Sequence, residues 1–156
     1  MSGDRFDIRM GTPDDMETLV SHRLRMFYEI RPDRDIYLEG YEKVTGDWIA
    51  NKVNDSNFVS FIAETKDGKI AGSGCILIKE DQPRPEKLVL KVPYLLSMFT
   101  EPEYRSQGVA SLIIKESIRW ARENGYDRMD LHGSPMGKSL YEKFGFRQTN
   151  EMRLML

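Results

Sequence analysis

The sequence predicts an α+β fold of the α/β/α sandwich kind: a mixed, mostly antiparallel central sheet with helices on both faces. Two observations carry this. The elements read from apolar period and turn chemistry run β-α-α-β-β-β-α-β-α-β along the chain. Three of the strands follow one another in the middle, which a doubly wound parallel sheet does not allow. A third observation sets the scale: 156 residues, 40% of them hydrophobic, suit a single domain (1–156) with a real core.

Each element has its own signal. Residues 6–10 (Phe-Asp-Ile-Arg-Met) alternate apolar and polar, as a half-buried strand does. Thr12-Pro13-Asp14-Asp15 reads as a helix start, with Thr12 as N-cap, Pro13 first in the helix and two acids at the positive end of the dipole. That helix runs to about Ile30, and a second is expected over residues 38–53. Residues 58–65 and 70–78 form a hairpin about Asp67-Gly68, and Gly72 and Gly74 in its second strand let something approach closely. A polar loop at 81–85 leads to an extended segment at 87–100, where Pro93 predicts an irregularity. A helix over 108–123 carries Ala110, Ile113, Ile114, Ile118 and Ala121 on one face, and Asn124-Gly125 closes it. A short strand at 126–131, a helix at 135–144 and a last strand at 146–156 complete the chain.

Composition excludes several classes. The net charge of −2 gives no general field toward nucleic acid or an anionic membrane. No apolar run is long enough to span a bilayer and no leader is evident, so a cytoplasmic protein is expected. Cys75 is the single cysteine, and His22 and His132 sit in no metal-ligand spacing, so neither a disulfide nor a metal is expected. Cys75 itself reads as a structural, buried residue, since no activating partner is visible.

The chemistry concentrates in two segments. The first is a strand, a turn and a helix: Leu95 to Thr100, then Arg105-Ser106-Gln107-Gly108-Val109-Ala110. The turn leaves the amides of Gln107, Gly108, Val109, Ala110 and Ser111 without intrahelical partners, an anion site suited to a pyrophosphate, and Arg105 can add charge beside it. It is neither a Walker loop, which needs Gly-Lys-Ser/Thr, nor a Gly-x-Gly-x-x-Gly fingerprint. The second is Leu140-Tyr141-Glu142-Lys143-Phe144-Gly145-Phe146, in which Tyr141 and Phe144 share a helix face and Gly145 ends the helix. Taken alone, Tyr141 reads as a core or rim aromatic.

Together the two segments resemble the GNAT superfamily of N-acetyltransferases. The first matches that family's coenzyme A loop, Arg/Gln-x-x-Gly-x-Gly/Ala, the second its Leu-Tyr-x-x-x-Gly-Phe motif, and the element order agrees over nearly the whole chain. The resemblance implies acetyl-CoA as co-substrate and a primary amine of a small molecule or peptide as acceptor. It implies a cleft where the fourth strand and the strand after the main helix splay apart, with Met98, Phe99 and Thr100 offering backbone to the pantetheine arm. Gln107 to Ser111 would hold the pyrophosphate, with Arg105 close by. Thioester aminolysis gains from a base for the amine, a donor for the oxyanion and an acid for the sulfur. By resemblance Tyr141 is the acid, and a backbone N–H near Met98 the oxyanion donor. For the base, His132 stands at the end of a predicted strand, with Glu29, Glu101 or a water as alternatives. Where many relatives carry an asparagine before the Tyr helix, this chain has Leu131-His132-Gly133-Ser134. Ser134 either replaces that contact or caps the helix.

The acceptor end falls, by the same resemblance, to the first two helices, with Phe27, Tyr28 and Glu29 as candidate contacts. Glu29 facing the cleft would suit a cationic amine; Arg23 or Arg25 facing it would suit an acidic acceptor. Helical phase leaves the two open. A coenzyme A-binding sensor without catalysis is the alternative of a different class, and a homodimer through the final strand is compatible with either.

Overall fold

A computed structural model describes residues 5–156. Five strands form one sheet in the order β1-β2-β3-β4-β5: β1 (Phe6–Met10), β2 (Phe58–Thr65), β3 (Ile70–Asp81), β4 (Leu90–Thr100) and β5 (Asp130–Leu131). The first four pair antiparallel and β5 joins β4 parallel, so the sheet is mixed and mostly antiparallel as predicted. The helices are α1 (Met16–Ile30), α2 (Tyr41–Lys52), α3 (Val109–Glu123) and α4 (Lys138–Lys143). None of them is long and apolar enough to cross a membrane.

Alternation along the strands makes two cores. Val59, Phe61 and Ala63 of β2 and Ile76 of β3 face α3, whose Val109, Ile113 and Ile114 are buried against them. Phe58 and Ile62 of β2 and Cys75 of β3 face the other way, toward Leu19 of α1 and Ile49 of α2. Ser117 interrupts the apolar stripe of α3 but is fully buried, its Oγ donating to Ile113 O at 2.8 Å, which satisfies the hydroxyl within the helix. The predicted start of α1 holds with one refinement. Thr12 caps a 3-10 turn, Pro13–Asp15, that precedes the helix, and Asp15 closes a capping box and receives a bidentate pair of bonds from Arg9, both 2.8 Å.

Two predicted features differ. Pro93 lies in regular register opposite Ile78; the irregularity is four residues on, where Ser97 and Met98 both oppose the stretch between Ser73 and Cys75. With no Cβ at Gly74, the Met98 side chain fits against that glycine where the register shifts. The last strand, expected over 146–156, does not form: those residues join no ladder, and Met152, Leu154 and Met155 are exposed. β5 has only two residues, too few backbone groups to template another strand.

Helix α1 is pinned to the sheet by a polar chain. His22, 2% exposed, meets Ser73 Oγ with Nδ1 at 2.7 Å and Glu101 Oε1 with Nε2 at 3.0 Å. A carboxylate only accepts, so Nε2–H donates to Glu101 and the Ser73 hydroxyl donates to Nδ1. Burial pushes His22 below its ordinary value, against the pull of Glu101, and the ring is neutral.

Two outcomes follow for stability. Because the unfolded chain protonates His22 near its ordinary 6.5 while the folded chain resists, stability should fall as pH drops below about that value and level off once the folded group titrates. Thermal melts of the native protein should show that slope and His22→Gln should flatten it; equal slopes would refute the account. In urea unfolding, Gly72→Ala should cost about 1–3 kcal/mol, because a Cβ there would lie 2.6 Å from Phe99 O and 2.9 Å from Val109 Cγ1. Gly46→Ala, inside α2 with nothing within 4 Å, should instead gain about 0.5–1 kcal/mol.

Candidate active site

The site begins where the sheet opens. β4 and β5 pair at two positions only, Tyr94 with Asp130 and Leu95 with Leu131. Immediately beyond, Ser97 takes φ 56°, a left-handed conformation that L-residues rarely adopt, and β4 bends away. From there to Thr100 its edge has no strand beside it on the β5 side. Met98 and Thr100 are half-buried and Phe99 is buried along this stretch. Gly74 makes the bend fit: a Cβ would lie 2.6 Å from Met98 Sδ and 2.7 Å from Ile113 Cγ2.

At the far end of β4 the chain turns into α3. Gly108 has φ 87° as the residue capping the helix, and no side chain caps it. The first bonded amide is that of Leu112, to Gly108 O at 3.0 Å; those of Gln107, Gly108, Val109, Ala110 and Ser111 find no acceptor among the described residues. Five unbonded amides lie at the positive end of a 15-residue helix with no acid in its first turn, an arrangement that attracts anions. Val109, 1% exposed, anchors the turn in the core. Gln107 donates Nε2–H to Glu103 O at 2.9 Å, and its Oε1 is buried without a partner. Arg105 turns away from the amides. It donates to Thr100 O at 3.1 Å and to both oxygens of Glu29, at 2.7 and 2.8 Å, so its charge is already matched.

On the β5 side, Tyr141 of α4 is half-buried, its ring packed against Gly133 and Gly137 and edge-on to Phe146 at 5.9 Å. Its hydroxyl bonds to no other side chain or backbone group among the described residues, and burial pushes it above the usual phenol value. Ser134 does not cap α4, whose N-cap is Gly137 without a side-chain bond; its Oγ accepts from Gly137 N at 3.2 Å in the turn before the helix. His132 is exposed just after β5, with Nδ1 3.5 Å from Arg153 Nη2.

Helix α1 forms the opposite wall. Glu101 is gripped by Arg25 at 2.8 and 2.6 Å, and that guanidinium, with His22, holds its carboxyl below the usual range despite partial burial. A carboxylate so stabilised accepts a proton poorly. Glu29 is exposed and paired with Arg105, which also bonds Thr100 O at the end of β4. Phe27 carries the Arg23 guanidinium over its ring at 4.6 Å, and Tyr28 carries Arg34 at 3.5 Å while donating to Glu42. Sequence reading missed His22 and Ser73, which fasten α1, and Ser97, whose side chain accepts from Arg23 Nη1 at 3.1 Å. His22 carried no motif, and nothing in a serine announces a positive φ.

The rest of the molecule carries less. A groove of about 570 Å³ between α1 and α2, lined by Met16, Val20, Leu24 and Ala50 among others, includes Tyr28 but none of the cofactor residues named above. Burial pushes the Cys75 thiol up to about 12, so it is no nucleophile. Among the described residues no group of three metal-binding side chains is assembled.

Residues 16–146 match the Acetyltransferase (GNAT) family, whose co-substrate is acetyl-CoA. A predicted acetyltransferase from Clostridium acetobutylicum, solved with acetyl-CoA, superposes with a TM-score of 0.81 at 25% identity, covering 97% of this chain and 96% of that one. A GCN5-related N-acetyltransferase from Ralstonia eutropha JMP134 shares the fold with a TM-score of 0.86 at 24% identity, over 97% and 98% of the two chains. N-acetyltransferase 8 from Homo sapiens is 24% identical over 94 residues, 58% of this chain. The chain spans only 39% of that relative's length. The split sheet, the amide-lined turn and a family match over most of the sequence lead to one conclusion: the chain belongs to the GNAT acetyltransferase family.

Proposed function

We propose that the protein transfers an acetyl group from acetyl-CoA to the primary amine of a small molecule or peptide. The observation that carries this is the row of five unbonded amides, Gln107 to Ser111, at the mouth of the cleft between β4 and β5. Those amides and the α3 dipole suit the cofactor's diphosphate, and the open edge of β4 from Met98 to Thr100 suits its amide-bearing arm, as an added strand would. When bound, acetyl-CoA supplies the thioester.

The chain's residues then divide the work. The amide near Met98 donates to the carbonyl oxygen as it gains charge. Tyr141 gives its proton to the departing sulfur; its raised value keeps that proton in place through neutral pH. The amine nitrogen bonds to the carbonyl carbon, the carbon–sulfur bond breaks, and the proton shed by nitrogen goes to His132 directly or through water. Glu101, held by Arg25 and His22, is a poor proton acceptor, and Glu29 is paired with Arg105. Phe27 and Tyr28 form the aromatic wall on the acceptor side. Arg105 supports the end of β4 through Thr100 O.

Two variants test the assignment. Tyr141→Phe should lower kcat by about 100-fold or more while calorimetry finds the acetyl-CoA Kd unchanged; unchanged turnover would remove Tyr141 as the acid. Gly108→Glu should abolish acetyl-CoA binding, since it sets a carboxylate against the amides and a side chain at φ 87°. Retained binding in that variant would remove the amide-lined turn from the site.

A further inference from the structure

On the acceptor side of the cleft one charge has no counterpart. Of the charged groups on α1 that reach toward β4, Arg25 is matched by Glu101, and Glu29 by Arg105. Arg23 has no carboxylate within 4.0 Å among the described residues. It rests on the Phe27 ring at 4.6 Å and donates to Ser97 Oγ at 3.1 Å. The titratable groups acting on it are a phenol, Tyr41, and a thiol, Cys75, both types uncharged at neutral pH. Burial pulls its value down, yet a guanidinium stays protonated in proteins. A permanent cation is therefore kept half out of water with only a ring face and a hydroxyl to support it, an arrangement that costs stability unless an anion completes it.

A second observation stands in the same place. Tyr41 Oη is buried and has no hydrogen-bond partner, although its ring lies 6.4 Å from that of Phe27, on which Arg23 rests. Buried hydroxyls are as a rule bonded, and this one has a proton to give. Ser97 uses a lone pair on Arg23, so its proton is also available. Arg23 of α1 and Tyr41 of α2 thus both lie against the Phe27 ring, Ser97 of β4 is bonded to Arg23, and no carboxylate among the described residues bonds to any of the three.

We infer that the acceptor amine carries an anionic group, a carboxylate or a phosphate, and that Arg23 receives it with help from Tyr41 and Ser97. The inference rests on the acetyl-transfer reading of the cleft and deepens it. Ser97 immediately precedes Met98, whose neighbourhood supplies the oxyanion donor, so the anion binds about one residue from the reacting carbonyl. That separation selects short acceptors in which amine and anion lie a few bonds apart, such as amino acids or aminoalkyl phosphates. It disfavours polyamines and other cations.

The test uses matched acceptors on the full-length protein: amino acids against their amides, and 2-aminoethyl phosphate against ethanolamine. Calorimetry with acetyl-CoA comes first. Absence of binding there overturns the reading of the cleft; the present inference is judged on protein that binds. Native protein should favour an anionic member over its neutral twin by about 10- to 100-fold in kcat/KM. The carboxylate and phosphate pairs separate the two sources of charge. Arg23→Gln should collapse that ratio through KM with the acetyl-CoA Kd unchanged, and Arg23→Lys should restore part of it. If Arg23→Gln fails to fold, Tyr41→Phe should lower the same ratio by a smaller factor. If no acceptor turns over, titration of the same pairs into the CoA-saturated protein reads the same preference. A preference for neutral or cationic members, or a ratio that survives Arg23→Gln, would overturn the inference.

Discussion

The site depends on one defect in the sheet. Ser97 and Met98 together oppose the stretch around Gly74, and that extra residue turns β4 out of line with β5 just after their two shared pairs. A non-glycine residue at φ 56° costs on the order of 1–3 kcal/mol, so it persists only where the surroundings over-determine it. Here they do. Met98 and Ile113 fill the space above Gly74, Arg23 bonds the Ser97 side chain, and the register on either side is fixed by antiparallel pairing with β3. Were the strand to relax into regular register, β4 could continue alongside β5 and the cleft would close.

Everything functional is placed relative to that opening. The absence of a Cβ at Gly72 lets Val109, and with it the first turn of α3, settle beside Phe99 at the end of β4. The unbonded amides are thereby fixed at one end of the cleft, while Tyr141 is held on its other wall by the flat backbone of Gly133 and Gly137. The polar chain Ser73–His22–Glu101–Arg25 fastens α1 across β3 and the end of β4. Glu101 is thus a structural anion: with a neutral imidazole and a guanidinium both donating to it, its proton affinity is too low for base catalysis. Surface pairs such as Lys43 with Asp47 do none of this, since exposed pairs contribute roughly 0–1 kcal/mol and hold no element in place.

Much of this was legible in the sequence, and the parts that were not share a cause. Thr12-Pro13-Asp14-Asp15, Asp67-Gly68 and Asn124-Gly125 located boundaries because capping and turn chemistry are local. Gly72 and Gly74 announced close approach, though not what approached. The turn at Gly108 could be read as an anion site because main-chain amides at a helix start behave alike whatever the side chains. Proline is the local signal for irregularity, so the sequence points to Pro93; the shift at Ser97 lies in the pairing of β3 with β4, which no local rule contains. The last strand failed for a related reason. Its residues alternate well enough, but a strand needs an edge to pair with, and the length of β5 is a property of the whole sheet. Ser134 and Arg105 show a similar limit on a smaller scale, since their bonds to Gly137 N and to Thr100 O and Glu29 depend on the tertiary arrangement.

The two halves of the cleft therefore differ in what specifies them. One half is lined by backbone: free amides, an open strand edge and glycines that admit close contact. Backbone chemistry depends on conformation alone, so a short motif suffices to reveal it. The other half is bordered by side chains of α1 and α2, where Arg23 and Arg25, two residues apart, point about 200° apart around the helix. Arg23, Arg25 and Glu29 were equivalent as letters in the sequence. Their difference lies in what stands opposite: Glu101 for Arg25, Arg105 for Glu29, and for Arg23 only the hydroxyl of a strained serine. Which charge is left unpaired on α1 can thus change without disturbing the strand defect at Ser97.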